Sequence, residues 1–477
     1  MLTFWKTMTP RTGAALLLAL AVIALLAGLN FCQLQSGDET RTAGIAAEMF
    51  VDGDYLVPRL NGTPFLEYPP LYSWSAALAY SVFGITDFAA KLPSALAAIG
   101  GVMLAFGFAG LMKLPVWSRF LSGFFLLTGA QFFSNSRTCR VDMVLAFFVL
   151  LAVYGFFAMR ESGTPWKKLG AWGLFALGLV GGIYTKGLLG IALPGAALGC
   201  WLVVDDGLNR RFSLGAYLAA AAGALAALAS AGVWYWLLWR NGGKEMFHTA
   251  FFVNNLGRFS GSQGDHTESA FYYFIKLPSL FLPWLPLLPF AIWAAFRRIR
   301  DPRNSGVLLV LSFLLVPFAA LCVASSKRVV YLLPLYAPCA LLCGWYLTVL
   351  PERVRAALQR PLERIPLDSG RRVWCAVLLL GVILSGAATA VSLVQARKES
   401  LRPLFEACAA LQKAGKQVVL ASAPERTRGA AFFYLHRKLG EVDRKNAPAV
   451  PGEYWIFRDK RSSEGTRYAD SHHLVKR

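Results

Sequence analysis

Apolar residues run along this chain in long uninterrupted blocks, at about 12–31, 87–112, 116–135, 141–159, 168–185, 187–204, 213–239, 271–296, 305–324, 329–350 and 372–395. Each block approaches the roughly 20 residues a helix needs to cross hydrocarbon and is far longer than a strand. The pattern predicts an all-α polytopic membrane domain, 1–395, with about eleven transmembrane helices. Between the first two blocks lies a polar stretch from Gln33 to Pro70, followed by an amphipathic segment, Leu71 to Phe83, expected to lie along the interface as a helix started by Pro69-Pro70. After the last block the pattern changes. A helical period near Leu401 to Lys413 and strand-like runs at Gln417–Ala421 and Tyr454–Phe457 predict a small soluble α/β domain, 396–477, on the extracytoplasmic side.

The first block follows Lys6 and Arg11, as the core of a signal peptide would, but no small-residue cleavage site comes after it. Asn30 and Phe31 likewise stand where lipoprotein processing before Cys32 would need small residues. We therefore read it as the first span. No direct or inverted sequence repeat is apparent.

Composition agrees with a lipid environment. Hydrophobic side chains make up 56% of the 477 residues and charged ones only 16%, so water could not solvate the surface of a soluble fold. A formal net charge of +21 would suit nucleic acid, but the cations come in small clusters between apolar blocks, which is how topology signals are distributed. Taking alternate connections, Lys113 and Arg119, then Arg160, Lys167 and Lys168, then Arg210 and Arg211, then Arg297, Arg298, Arg300 and Arg303, and finally the arginines of 351–372 all fall on one side. That side is cytoplasmic by the positive-inside rule. The other connections face the periplasm, or the outside in a single-membrane cell, and a bacterial inner membrane is the expected location. The eight cysteines show no paired spacing and read as small apolar fillers.

The residues that look chemical gather on the outward side. In Gly37-Asp38-Glu39-Thr40-Arg41 two carboxylates open a helical pattern. Glu39 has a structural alternative, a capping box with Ser36, whereas capping leaves Asp38 without a task and points to catalysis. Arg59 sits in a turn around Asn61-Gly62, and Glu67-Tyr68 precedes the proline pair; a carboxylate flanked by aromatics at a bilayer edge can bind a cation or orient a substrate, or be a solvated loop residue. Arg137, Arg140 and Asp142 border hydrocarbon, either as an internal ion pair or with the two arginines as a fork for phosphate oxygens, and Asp142 joins Asp38 and Glu39 as a candidate catalytic carboxylate. Lys186 interrupts a nearly continuous apolar hairpin and is costly there unless it meets an anion. Arg258, Lys327, Arg328 and Tyr331 complete the outward polar set, the last three with an alternative as interfacial anchors. A divalent, zinc-like metal would be held by His266 with Glu67, with His248 in reserve, although a lone histidine is more often a solvated loop residue. Carboxylates and cations converging on one face suit a lipid-phosphate leaving group, whose developing charge the cations stabilise. No Walker or dinucleotide glycine loop is present, so no nucleotide cofactor is expected.

The motif order resembles a known family, the bacterial GT-C glycosyltransferases related to aminoarabinose lipid A transferases and protein O-mannosyltransferases. The resemblance covers about 12–350 and rests on Gly37 to Arg41, Val57-Pro58-Arg59-Leu60-Asn61-Gly62, Glu67-Tyr68-Pro69-Pro70-Leu71-Tyr72, Arg140-Val141-Asp142-Met143, Thr185-Lys186-Gly187, Asn255-Leu256-Gly257-Arg258-Phe259 and Lys327 to Pro334. It implies transfer of a sugar from undecaprenyl phosphate, with inversion, to lipid A or another glycan or protein acceptor. It further implies Asp38 as catalytic carboxylate, Glu67 and His266 as metal contacts, and Lys186 with nearby arginines on the carrier phosphate. Tyr68 departs from the pattern, since the aminoarabinose enzymes usually have Lys there. A lipid-linked-sugar flippase is the competing class; it should show repeats and polar residues near the bilayer midplane, whereas these gather at one face. A structural scaffold would have no use for the carboxylate–cation cluster.

Overall fold

A computed structural model describes residues 8–35, 37–257, 268–269, 271–301, 304–325, 327–351, 354, 370–421, 423–442, 454–459 and 472–476. The helices in chain order are α1 (Pro10–Leu26), α2 (Gly37–Asp52), α3 (Leu71–Phe83), α4 (Asp87–Leu111), α5 (Val116–Thr128), α6 (Ala130–Ser136), α7 (Val141–Glu161), α8 (Pro165–Lys186), α9 (Leu189–Leu208) and α10 (Leu214–His248). They continue with α11 (Tyr272–Leu280), α12 (Leu288–Phe296), α13 (Ser305–Val323), α14 (Tyr336–Val349), α15 (Gly370–Glu399), α16 (Arg402–Lys413) and α17 (Glu425–Leu435). All eleven apolar blocks are helical. Among the described residues, 8 helical segments are by themselves long and apolar enough to cross a membrane. The remaining blocks are broken or carry charge: 116–135 is divided between α5 and α6 at Gly129, 271–296 falls into short helices, and α8 opens with Lys167 and Lys168.

The chain forms two compact units. One comprises Met1–Leu25, Leu96–Ser136 and Val141–Leu384, and is the helical membrane body. Its hairpins close through small residues. A Cβ at Gly155 would lie 2.4 Å from the Phe175 amide nitrogen, and one at Gly178 2.4 Å from that of Ala152, so α7 and α8 meet backbone to backbone. α8 turns into α9 at Gly187 (φ 62), and Gly182 and Gly190 again bring the backbones together. α7 carries ionic groups at both ends: Asp142 in its first turn and Arg160 in its last. Arg160 pairs with buried Asp205 at 3.5 Å, as does Arg211 at 2.6 Å. The 18 helical steps from Asp142 to Arg160 span about 27 Å, close to the hydrocarbon thickness.

The other unit comprises Leu26–Ala95, Arg137–Arg140 and Ser385–Arg477. Its outward connection contains α2, a two-stranded turn (β1, Arg59–Leu60; β2, Thr63–Pro64) and α3, which follows Pro70 and stops at Gly84 (φ 72). The tail supplies α16, α17 and a four-stranded sheet of β3 (Gln417–Ala421), β4 (Gly440–Val442), β5 (Tyr454–Asp459) and β6 (His472–Lys476) in the order β4-β3-β5-β6. β3 runs parallel to β4 and β5, and β6 antiparallel to β5. Phe405, Cys408, Leu420 and Ala430 form its core.

Within this second unit α17 crosses α2 with no side chain between them. A Cβ on Gly44 would lie 2.3 Å from the Gly429 carbonyl oxygen, and one on Gly429 2.4 Å from that of Thr40. Gly44→Val is therefore expected to cost about 2–3 kcal/mol, since the backbones must separate to admit it. Its melting temperature in detergent should drop well below that of Gly195→Val, a mid-helix glycine with nothing within 4 Å. Equal melts would contradict the close crossing.

Candidate functional site

The first turn of α2 places Asp38 and Glu39 in different surroundings. Glu39 is buried, and its two oxygens accept the Gln35 amide at 2.8 Å and the Cys139 amide at 3.0 Å. Both are consumed in joining the start of α2 to the Arg137–Arg140 strap. Ser36, the expected capping-box partner of Glu39, lies outside the described residues. Asp38 remains partly exposed at 26% and lies beside two cations: Arg41 at 3.2 Å, one turn on, and Arg140 at 3.7 Å from the strap.

Arg41 is the hub of this cluster. Its Nη1 contacts Glu67 at 2.8 Å and Glu425 at 2.7 Å, while Nη2 contacts Asp38; the guanidinium also lies 5.3 Å from the Phe65 ring centroid. Burial opposes its charge, but Glu67, Tyr68, Glu425 and Asp38 outweigh that and raise its pKa above the usual value. The Arg140 backbone is fixed by Ser94, whose hydroxyl donates to the Arg140 carbonyl at 3.1 Å and is bonded in turn to the buried Tyr72 hydroxyl at 3.0 Å.

Other cations of this unit are braces. Buried Arg137 donates to the Ala27 carbonyl at 3.0 Å and to the Thr389 hydroxyl at 3.1 Å. Arg59 pairs with Asp54 at 3.4 Å and donates to the Gly62 carbonyl at 3.4 Å, serving its own turn.

In the membrane body Lys186, at the last residue of α8, is bonded to Asp142 in the first turn of α7, with side-chain exposures of 7% and 10%. The ammonium sits 4.2 Å from the Tyr331 ring centroid. The anion that an intramembrane lysine needs is thus supplied by the neighbouring helix, and an aromatic face covers the pair. Lys327 is buried and donates to the Glu268 carbonyl at 3.0 Å and to that of Ala324. The Arg328 backbone is bonded to the Tyr273 hydroxyl at 3.2 Å in both directions. Beside the break in α10 at Gly243 (φ 67) an apolar cavity of about 580 Å³ is lined by Tyr235, Trp236, Trp239, Phe247 and Phe251, with Lys244 among the lining residues. His248 stacks on Phe252 at 5.4 Å.

Arg258 and His266 lie outside the described residues. Among the described residues no group of three or more His, Cys, Asp and Glu could hold a metal ion, and the cation on Glu67 is Arg41. The expected His266–Glu67 pair therefore falls partly outside the described residues. The sequence reading overlooked Glu425, Glu48 and Asn61, which tie the tail to the outward connection. Asn61 bonds the Leu439 amide and carbonyl at 2.9 Å, and Lys438 meets Asp52 at 2.7 Å and Glu48 at 3.6 Å. The only local signal was Pro424-Glu425 as a helix start; nothing in one sequence marks the partner across 384 positions.

Glu48 gives a pH test. It is 1% exposed, and burial raises its carboxyl pKa against the opposing pull of the Gly62 amide, Lys438 and the Asn61 amide. The folded protein thus holds this proton more tightly than the unfolded chain. Its contribution to stability is complete below the unfolded value of about 4.3 and is lost as pH rises through the raised one. Glu48→Gln keeps an oxygen for the Gly62 amide, so the wild-type melting temperature should fall relative to the variant as pH rises from about 4. Parallel curves would refute this.

Comparison with known proteins shows where the arrangement recurs. The family model for dolichyl-phosphate-mannose-protein mannosyltransferase matches residues 67–236. The undecaprenyl phosphate-alpha-4-amino-4-deoxy-L-arabinose arabinosyl transferase of Yersinia enterocolitica is 27% identical over 372 residues, covering 78% of this chain and 66% of that protein. A Proteus mirabilis transferase of the same name, numbered 2, is 30% identical over 340 residues, covering 70% and 59%. The chain thus spans less than two thirds of the length of these relatives. The crystal structure of ArnT from Cupriavidus metallidurans bound to undecaprenyl phosphate superposes with a TM-score of 0.72 at 21% identity, over 90% of this chain and 86% of that one. The Archaeoglobus fulgidus oligosaccharyltransferase, crystallised with Zn and sulfate, gives 0.53 at 12% identity, over 89% and 62%. The chain has the GT-C fold that the motifs led us to expect, and its similarity is to ArnT-type glycosyltransferases.

Proposed function

We propose that this ArnT-like multi-pass protein of the bacterial inner membrane transfers a sugar from undecaprenyl phosphate to an envelope acceptor, with lipid A the first candidate, at the periplasmic face. The observation that carries the reading is Asp38, partly exposed at a helix start and oriented by Arg41 and Arg140. Its neighbour Glu39 is buried and accepts two backbone amides, whereas Asp38 is partly exposed, so Asp38 is the carboxylate of the pair that a substrate can reach.

The reaction is a single displacement with inversion at the anomeric carbon. The acceptor oxygen forms its bond to that carbon as the bond to the carrier phosphate breaks, and the electron pair leaves with the phosphate. A hydroxyl acceptor gives its proton to Asp38; an acceptor that is already an ionised phosphate is instead oriented beside it. Lys186 is assigned to the carrier phosphate, because a second anion can share an ammonium already poised between Asp142 and Tyr331. Arg258, Arg328 and Tyr331 are further candidates for phosphate contact. The aromatic cavity beside Lys244 suits an isoprenoid tail. Glu67, one half of the expected metal pair, meets Arg41 at 2.8 Å.

The test is mass spectrometry of lipid A and other envelope glycans from a strain lacking the gene, complemented with wild type or variants. One sugar should disappear and return with wild type. Asp38→Asn should reach the membrane yet lose at least about a hundredfold in turnover, the lower range for acid–base assistance. Full turnover by this variant would remove the catalytic assignment. In membranes, Lys186→Ala should raise the apparent KM for the lipid donor about tenfold, on the scale of one charge-assisted hydrogen bond. An unchanged KM would remove Lys186 from the carrier site.

A further inference from the structure

The tail helix α17 begins at Glu425, directly after Pro424, and lies on α2 through Gly429 and Gly44. Near the starts of both helices Gly37 faces the Arg426 side chain, with 3.4 Å between an added Cβ and the Arg426 Cβ. The Glu425 carboxylate is thereby delivered to Nη1 of Arg41 at 2.7 Å, beside Glu67 at 2.8 Å, while Nη2 of the same guanidinium contacts Asp38 at 3.2 Å.

A guanidinium is planar and presents its donors in a rigid fork, so fixing one edge sets the direction of the other. We propose that Glu425 is a positioning residue for the transferase: it pins the Nη1 edge of Arg41 so that the Nη2 edge holds the Asp38 carboxylate in its reactive orientation. This makes the C-terminal segment a working part of the catalytic unit, and it rests on the assignment of Asp38 made above. Glu425 is half exposed and Arg41 is not. Solvent screens the ion pair, so its effect falls on orientation more than on stability. Without Glu425, Glu67 still meets the Nη1 edge of Arg41, and the fork can swing about that contact.

The experiment uses the full chain in membranes, with undecaprenyl-phosphate-linked 4-amino-4-deoxy-L-arabinose as donor and lipid A as acceptor, and compares wild type, Asp38→Asn, Glu425→Gln and Glu425→Asp. Glu425→Gln should lower kcat about tenfold, short of the hundredfold that a misplacement of an ångström can cost. KM for the donor should stay within about twofold, because binding groups are untouched. Glu425→Asp, which keeps the charge, should recover most of kcat, and melting temperatures should match wild type. An inactive Asp38→Asn alongside a Glu425→Gln of wild-type kcat would overturn this inference alone. Loss of activity in both Glu425 variants with lowered melting temperatures would assign the residue to folding and overturn it as well. Full turnover by Asp38→Asn would bring down the catalytic reading beneath it.

Discussion

The Arg41 guanidinium holds carboxylates from three separate stretches of chain, Asp38 on its own helix, Glu67 before the proline pair and Glu425 in the tail. Burying an unpaired cation is costly, and each of those carboxylates offsets part of the cost by approaching closely. The consequence is topological as well as energetic. The polar stretch after the first span, the strap at Arg137–Arg140 and the tail belong to one compact unit, and the contacts that unite them are largely ionic or made through glycine. Arg140 adds a second cation beside Asp38. Asp38 is thus set between two guanidiniums while remaining partly exposed, where a polar substrate can meet it.

The same rule governs the membrane body. Lys186 could not stand at the end of an apolar hairpin without an anion, and Asp142 provides one from the first turn of the adjacent helix. At the far end of that helix Arg160 meets Asp205. Ionic groups are thus confined to the two ends of α7, with apolar packing and glycine contacts between them. This is the arrangement expected of an enzyme working at one face of the bilayer. A carrier moving its substrate across would need polar groups near the midplane.

Most of the architecture was legible in the sequence because it follows from periodicity. Block length predicted the helices, Pro70 and Gly84 bound the interfacial helix, and strand propensity found β3 and β5. The ionic clusters were legible only as residue types. That Lys186 needs an anion follows from its position, but that Asp142 supplies it depends on how two helices pack. Glu39 and Arg137 looked chemical for the same reason as Asp38, and only their hydrogen bonds to backbone distinguish them as braces. The tail read as an appendage because its links to the outward connection, Glu425 to Arg41, Lys438 to Asp52 and Asn61 to Leu439, join residues hundreds of positions apart. No local pattern encodes such pairs.

Tyr68 shows how one departure from the family pattern is absorbed. A lysine there would bring a further cation to the cluster. The phenol adds none, and lies instead in the field of Arg41, whose charged form it favours. Glu67 meets Arg41 at 2.8 Å, and Glu425 lies 2.7 Å from the same nitrogen. The orientation of Asp38 thereby comes to depend on how one guanidinium is divided among its partners, which is why a half-exposed residue of the tail can govern a carboxylate at the start of α2.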